Sequence, residues 1–492
     1  MAGSRDPAVL ASRLAARDLS LWPEGSAAAD RLGWLESPAE MRSRVPALEE
    51  WAAEVRQAFD SVVLLGIGGS SLGAEVLAGV TGGPLRIVDT VEPTTVASAL
   101  EAGQDRALAL AASKSGVTLE TTSLLAAWRE RVPDPDRCAV VTDRASPLDQ
   151  LATLAGVRAV FRVRPDIGGR YSVLSDFGLV PAALCGADVA GLLDFDDTDL
   201  LPGVELGLAL AAEGNSGRDK VTMLATPRLA AIPWWVEQAL AEATGKDGVG
   251  LVPVVGEPLG PSSSYGPDRT FLAVAWAGED LPGLDALEAA GHPVRRLEVD
   301  GLPALGELFF RLQVASVAAA TVMGVDPFVE PDVEATRQAC AAALDKGPPP
   351  PPAESVTPEA LSELVEAALK PGGYVALGAW LPPDANVSAA LSRAQSRLRE
   401  RTGAAVTGDF GPRYLHSSGQ LHKGGPEGIV PVQLLSPAPG DFPVPGRRFG
   451  FAGLLALEAA TDFDVLVARR RPVLRVDLGR DPVAGLDRIA SD

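Results

Sequence analysis

Cysteine and histidine are both scarce in this chain of 492 residues, with three of each. Cys138, Cys185 and Cys340 lie far apart in apolar surroundings. That spacing supports neither a disulfide framework nor a zinc site, and reads as three small buried hydrophobes. No stretch reaches 18 uninterrupted apolar residues, so no membrane-spanning helix is expected. The N-terminal MAGSRDPAVLASRLAARDLSLW carries charges throughout and lacks the continuous apolar core of a secretory leader. Positive charge is short as well. Against 64 acidic side chains there are 43 Lys and Arg, a net charge of −21, and no basic cluster is long enough to neutralise a run of phosphates. Nucleic acid and anionic membrane are excluded as natural partners, and a cytoplasmic location is expected. No metal-ligand cluster stands out in the sequence, and neither a metal nor a cofactor is expected.

What is present is a globular composition, 47% hydrophobic and 22% charged. Single cores stop growing at roughly 250–300 residues, so two or three domains are expected. Short apolar runs alternate with longer helical patterns, the signature of α/β folding around doubly wound parallel sheets. Strands are expected at Ser61–Gly66, Leu85–Asp89, Ala107–Ala112, Cys138–Thr142 and Arg158–Phe161. A helical, glycine-rich stretch follows from Phe177 to Gly217. A second set of strands is expected at Lys220–Ala225, Leu251–Val255, Phe271–Ala275 and Val294–Val299, closed by an amphipathic helix over Leu305–Met323. Pro348–Pro352 is a run of five prolines, which favours an extended spacer. Beyond it, strands are expected at Tyr374–Leu377, Ala404–Thr407, Ile429–Leu435, Asp464–Ala468 and Val473–Asp477. The organisation that results is an N-terminal helical arm (1–45), a first α/β unit (46–200), a second (201–345), a Pro-rich linker (346–356) and a C-terminal α/β segment (357–492).

Two glycine- and hydroxyl-rich junctions carry the chemistry. In VVLLGIGGSSL, Val62–Leu72, an apolar strand breaks into glycines and serines where a helix should begin. Backbone N–H groups at a positive helix terminus beside Ser70 and Ser71 make a place for a phosphate. The loop has no Lys-Ser/Thr ending as in a P-loop, and Gly66-Ile67-Gly68-Gly69 does not fit a dinucleotide fingerprint. A phosphorylated small molecule fits better than a nucleotide. After the third strand, Ala112-Ser113-Lys114-Ser115-Gly116-Val117-Thr118 repeats the pattern with three hydroxyls and a lysine. Ser and Thr at such a junction are also ordinary helix caps. Arg170, behind Gly168-Gly169, is placed either to fork onto an oxyanion or to form an ion pair at the surface. Glu242 stands in the last turn of an apolar helix ending at Gly245, against the favourable sign of the helix dipole.

Taken together, GIGGSSLG, SKSGVTLET, GGRYSVLSDFGL and AEATGKDGVGLVP resemble the glucose-6-phosphate isomerases, over roughly Leu19 to Ala342. The N-terminal RDLSLWPE and the C-terminal FGPRYLHSSGQLHKGGP look more like the isomerase half of bifunctional transaldolase/glucose-6-phosphate isomerases. The resemblance implies two sugar-isomerase (SIS) domains, with the C-terminal segment completing the active site. It implies that Gly69, Ser70, Ser113, Ser115 and Thr118 hold a sugar phosphate, with Lys114 nearby. It places Arg170 opposite a developing enediolate and Glu242 as the base that moves a proton between C2 and C1. The family's histidine soon after the base is missing, since Gly256–Tyr265 contains none. His416 is the ring-opening candidate instead, supported by Lys423, with His422 as the other choice; His292 reads as structural. In Pro331-Asp332-Val333-Glu334-Ala335-Thr336-Arg337, arginine stands where the family has an active-site lysine. Arg337 cannot donate a proton at neutral pH, so an acid role would move to Lys423. The resemblance implies conversion of glucose 6-phosphate to fructose 6-phosphate. A dual phosphoglucose/phosphomannose isomerase and a non-catalytic sugar-phosphate-binding protein are the alternatives. A homodimer and a transaldolase fusion or partner are further expectations from the family.

Overall fold

The structure is a computed structural model and describes residues 6–102, 106–350 and 354–491. The described strands form three sheets, and every pairing in them is parallel. The first contains β1 (Ser61–Leu65), β2 (Leu85–Val88), β3 (Ala107–Ala112), β4 (Cys138–Asp143) and β5 (Ala159–Val163), in the order β2-β1-β3-β4-β5. The second contains β6 (Lys220–Ala225), β7 (Val252–Val254), β8 (Arg269–Trp276) and β9 (Val294–Val299), ordered β7-β6-β8-β9. The third contains β10 (Tyr374–Trp380), β11 (Ala405–Phe410), β12 (Ile429–Leu435) and β13 (Leu474–Asp477), ordered β11-β10-β12-β13.

The central strands read as continuous apolar runs because both of their faces are covered. ALALAA in β3 and YVALGAW in β10 are buried along their whole length. In the first sheet the strand order reverses between β1 and β3, which lie side by side with Leu64 opposite Leu110 and Leu65 opposite Ala111. Such a switch point opens a crevice beyond the carboxyl ends of the two strands, the usual ligand position in an open α/β sheet. Both hydroxyl-rich junctions leave from there.

Seven helices surround or support this crevice: α1 (Leu72–Thr81), α2 (Leu119–Arg131), α3 (Ile232–Thr244), α4 (Gly301–Met323), α5 (Pro331–Leu344), α6 (Gly419–Gly424) and α7 (Phe451–Ala468). By length and composition α4 could cross a membrane, yet 83% of its apolar stretch is buried inside the protein. The three sheets share their cores in pairs. Leu64, Leu110, Val180, Val274 and Phe309 belong to one apolar cluster joining the first sheet to the second. Val63, Trp128, Tyr414 and Phe451 join the first to the C-terminal segment, and Ala241, Val254, Tyr374 and Leu421 join the second to it. Segments from all three therefore converge on the crevice.

One expected element is corrected. Asp464–Ala468 is the last turn of α7 and not a strand. The β-branched Val465 and Val467 suggest extended backbone, but the helix continues from Phe451, Leu454 and Leu457. Its buried face includes the polar Glu458, Thr461 and Asp462, which break the apolar period that would have revealed it. Residues 351–353 of the expected Pro-rich linker and residues 1–5 of the expected N-terminal arm lie outside the described residues.

Candidate active site

A cavity of about 270 Å³ opens at the switch point, lined from the first sheet by Gly69, Ser70, Lys114, Ser115, Thr118 and Arg170. The glycines are there because of what lies against them. Gly68 has φ +60°, and a Cβ on it would come within 2.8 Å of His416. A Cβ on Gly69 would sit 2.2 Å from the carbonyl oxygen of Gly169, so the two glycine loops touch backbone to backbone. The two helices that follow start without side-chain caps: neither Ser71 at α1 nor Thr118 at α2 caps its own helix. First-turn N–H groups at two helix N-termini are therefore left for an anion. The Thr118 hydroxyl is instead 2.8 Å from Ser113 Oγ, and Ser113 also accepts from the Gly116 N–H at 3.1 Å. Ser113 is 1% exposed and shapes the loop from behind, outside the cavity lining. Lys114 reaches back to Asp143, with Nζ 2.5 Å from Oδ2, and donates to the carbonyl of Pro165 at 3.0 Å.

Glu242 enters the same cavity from the last turn of α3 and is 6% exposed. Its Oε2 lies 3.3 Å from Nε of Arg170, which is itself 4% exposed and also paired with Glu330. Burial pushes the Glu242 carboxyl up to about 7, with Arg170 opposing and Glu330 adding to the shift. Arg170 Nη1 has no hydrogen-bond partner among the described residues, which leaves guanidinium donors for an oxyanion in the cavity. Tyr171 lies under the guanidinium, 5.7 Å from ring centroid to Cζ, and stacks on Trp34 from the N-terminal segment at 5.3 Å. Lys246, just beyond α3, donates to the carbonyls of Asp326 and Val329 at 2.6 and 2.7 Å. It thereby fixes the loop that brings Phe328 and Glu330 to the cavity.

His416 lines the cavity from the third sheet's side, in the turn Arg413–His416 after β11. Its Nε2 is 2.6 Å from Glu120 Oε1. Burial pushes the Glu120 carboxyl up, but the neighbouring His416 and the hydrogen bond between them more than offset this and leave it below the usual range. Gln238, one helical turn before Glu242, donates to the His416 carbonyl at 2.7 Å and ties the two segments together.

The structure does not bring every expected residue into this group. Lys423 lies on α6 with its side chain 1% exposed and Nζ 2.7 Å from Asp462 Oδ1, outside the cavity lining. The lysine follows the turn of α6 away from His416 and neutralises a buried acid. His422 is also outside the lining. Burial pushes its imidazole down to about 3, and its ring lies 6.3 and 6.0 Å from those of Tyr374 and Tyr414. Arg337 does reach the cavity, with its side chain half exposed. Several lining residues carry no role in the sequence reading: Arg31, Asp143, Gln238, Tyr171, Phe328 and Glu330, and beside them Glu120. Gln238 was findable from its four-residue spacing to Glu242 on one helix face, and Glu120 from its place in the first turn after the hydroxyl loop. Nothing local marks Arg31.

The profile of the phosphoglucose isomerase family matches residues 35–194. The chain is 32% identical over 307 residues to a glucose-6-phosphate isomerase of Thermus thermophilus, covering 56% of this chain and 71% of that protein. It is 30% identical over 346 residues to a probable glucose-6-phosphate isomerase of Haloarcula marismortui, covering 58% and 78% respectively. Among solved structures, a hypothetical protein from Thermus thermophilus shares the fold, with TM-score 0.57 and 24% identity over 68% of this chain and 95% of that one. Relatives of this identity and coverage, together with the profile match over residues 35–194, decide the matter: the chain belongs to the glucose-6-phosphate isomerase family.

Proposed function

We propose that the chain interconverts glucose 6-phosphate and fructose 6-phosphate by ring opening followed by proton transfer through a cis-enediol. The phosphate would rest on the uncapped starts of α1 and α2, with the hydroxyls of Ser70, Ser115 and Thr118 and with Lys114 nearby. His416, oriented by Glu120, would relay a proton between the ring oxygen and O1. Glu242 would take the C2 proton and return it to C1. A carboxylate is a useful base near neutral pH when it is partly desolvated, and Glu242 titrates near 7 for that reason. Arg170, held between Glu242 and Glu330, would supply fixed positive charge to the enediolate.

The observation that carries the reading is the buried Glu242 carboxylate beside Arg170, in one cavity with the His416–Glu120 pair. It is tested by conversion of fructose 6-phosphate in the parent and in Glu242→Gln. Turnover lost in the variant with sugar-phosphate affinity kept supports it. Binding without turnover in the parent would mean a sensor. Comparable turnover of mannose 6-phosphate would mean a dual-specificity isomerase.

A further inference from the structure

Beside His416 lies a second chamber of about 450 Å³, which shares Ser115, Thr118, Arg337 and His416 with the first cavity. Glu120 lines it, and so does Glu458 from the middle of α7. Glu458 is 1% exposed, and neither of its carboxyl oxygens has a hydrogen-bond partner among the described residues. An ionised carboxylate does not persist in that setting. Burial first, and the charge of Glu120 second, push the Glu458 carboxyl well above the usual range. The other groups facing the chamber do not change this, and the further carboxylate lining it, Glu334 on α5, is half exposed and lies 3.8 Å from Arg337. Cys340 on α5 is held as a thiol by burial, while Arg337 and Arg447 keep partly or fully exposed side chains. Asp462, one turn further along α7, is neutralised by Lys423 and accepts from Tyr414 and Gln433. A neutral carboxyl has one proton to donate, and the acceptor that shares its chamber, and whose charge acts on it, is Glu120.

We propose that Glu458 is a positioning residue for ring opening, donating a hydrogen bond across this chamber through water that draws charge off Glu120 and so sets how tightly Glu120 holds the proton of His416. The proposal rests on the reading of His416 as the ring-opening group. Without the donor, the full Glu120 charge falls on the imidazole, raises its pKa and makes it a poorer relay at neutral pH.

The test is the titration of His416 by NMR in the full chain, where three histidines make the resonance assignable by its loss in His416→Ala. Glu458→Gln keeps a neutral donor and should leave the imidazole within about 0.2 pKa unit of the parent. Glu458→Leu removes the donor and should raise it by about half a unit or more. Turnover at neutral pH should fall with it, while KM changes less than about twofold. In a Glu120→Gln background the Leu substitution should shift nothing. Equal His416 titration in the parent and Glu458→Leu would overturn the proposal. As a check independent of that variant's folding, the infrared carbonyl band of protonated carboxylic acid at pH 8 should lose intensity from the parent to Glu458→Gln, the remainder belonging to Glu237, whose carboxyl is also pushed well above the usual range by burial. Equal intensity in the two would overturn the proposal too. Because the imidazole pKa is read without turnover, a failure of the ring-opening reading would appear separately, as full activity in His416→Ala.

Discussion

Glu242 has to be ionised to accept a proton, and its carboxyl is raised to about 7. Activity should therefore climb with pH through about 7, and a pH profile of kcat/KM reads this as the acid limb. Arg170 is the charge that opposes the rise, so Arg170→Gln should move that limb to higher pH as well as lowering kcat. The sign for stability is the reverse. Between the ordinary carboxyl value and about 7 the folded state holds a proton that the unfolded chain has released, so this group costs stability increasingly as pH rises through that window. The base is kept useful at the expense of the fold. Lys423 makes the opposite case. Its ammonium neutralises buried Asp462, so Lys423→Met should cost about 3 kcal/mol of stability in chemical denaturation. The folded fraction should keep turnover within a few-fold. His422→Ala should likewise leave turnover nearly unchanged, whereas His416→Ala should lose about 100-fold on cyclic substrate.

At the level of elements, the site depends on loops that have no room for side chains. Gly69→Ala would drive a methyl to 2.2 Å from the Gly169 carbonyl, so it should push the phosphate loop away from the Arg170 loop. The expected result is a loss of about 1–3 kcal/mol in denaturation, together with weaker substrate binding. This contact explains why the first glycine motif was legible in the sequence: Gly69 marks a place where backbone meets backbone. The same reasoning shows where reading from sequence stops. The strands β3, β6 and β12 could be bounded because their apolar runs end sharply at turn residues. The end of α7 could not, because its buried face carries Glu458, Thr461 and Asp462. Lys423 was expected in the site by its nearness to His416 in the chain. His416 sits in the turn Arg413–His416 and Lys423 on the separate helix α6, and only tertiary packing decides which one meets the cavity.

Over the whole molecule, the net charge of −21 opposes the approach of a phosphate dianion, while the cavity itself gathers Arg31, Lys114, Arg170 and Arg337. Salt screens the distant field more than the contacts inside the site. Moving from low ionic strength to about 0.15 M should therefore raise kcat/KM, an increase that stopped-flow or steady-state kinetics can measure. The meeting of three sheets at one crevice was only partly legible. The order of strands along the chain implied the sheets, but no motif reports that cores shared between them bring β1, α3 and the turn after β11 together. Since the proposed base and the proposed ring-opening group come from segments of different sheets, the central claim is that Glu242 performs the proton transfer in a site assembled this way. The direct measurement is conversion of fructose 6-phosphate in deuterated water, following label at C1 and C2 by NMR in the parent and in Glu242→Gln. The account predicts exchange and conversion in the parent, with both falling by about three orders of magnitude or more in a variant that still binds the sugar phosphate. Label entering at the parent's rate in Glu242→Gln would contradict it.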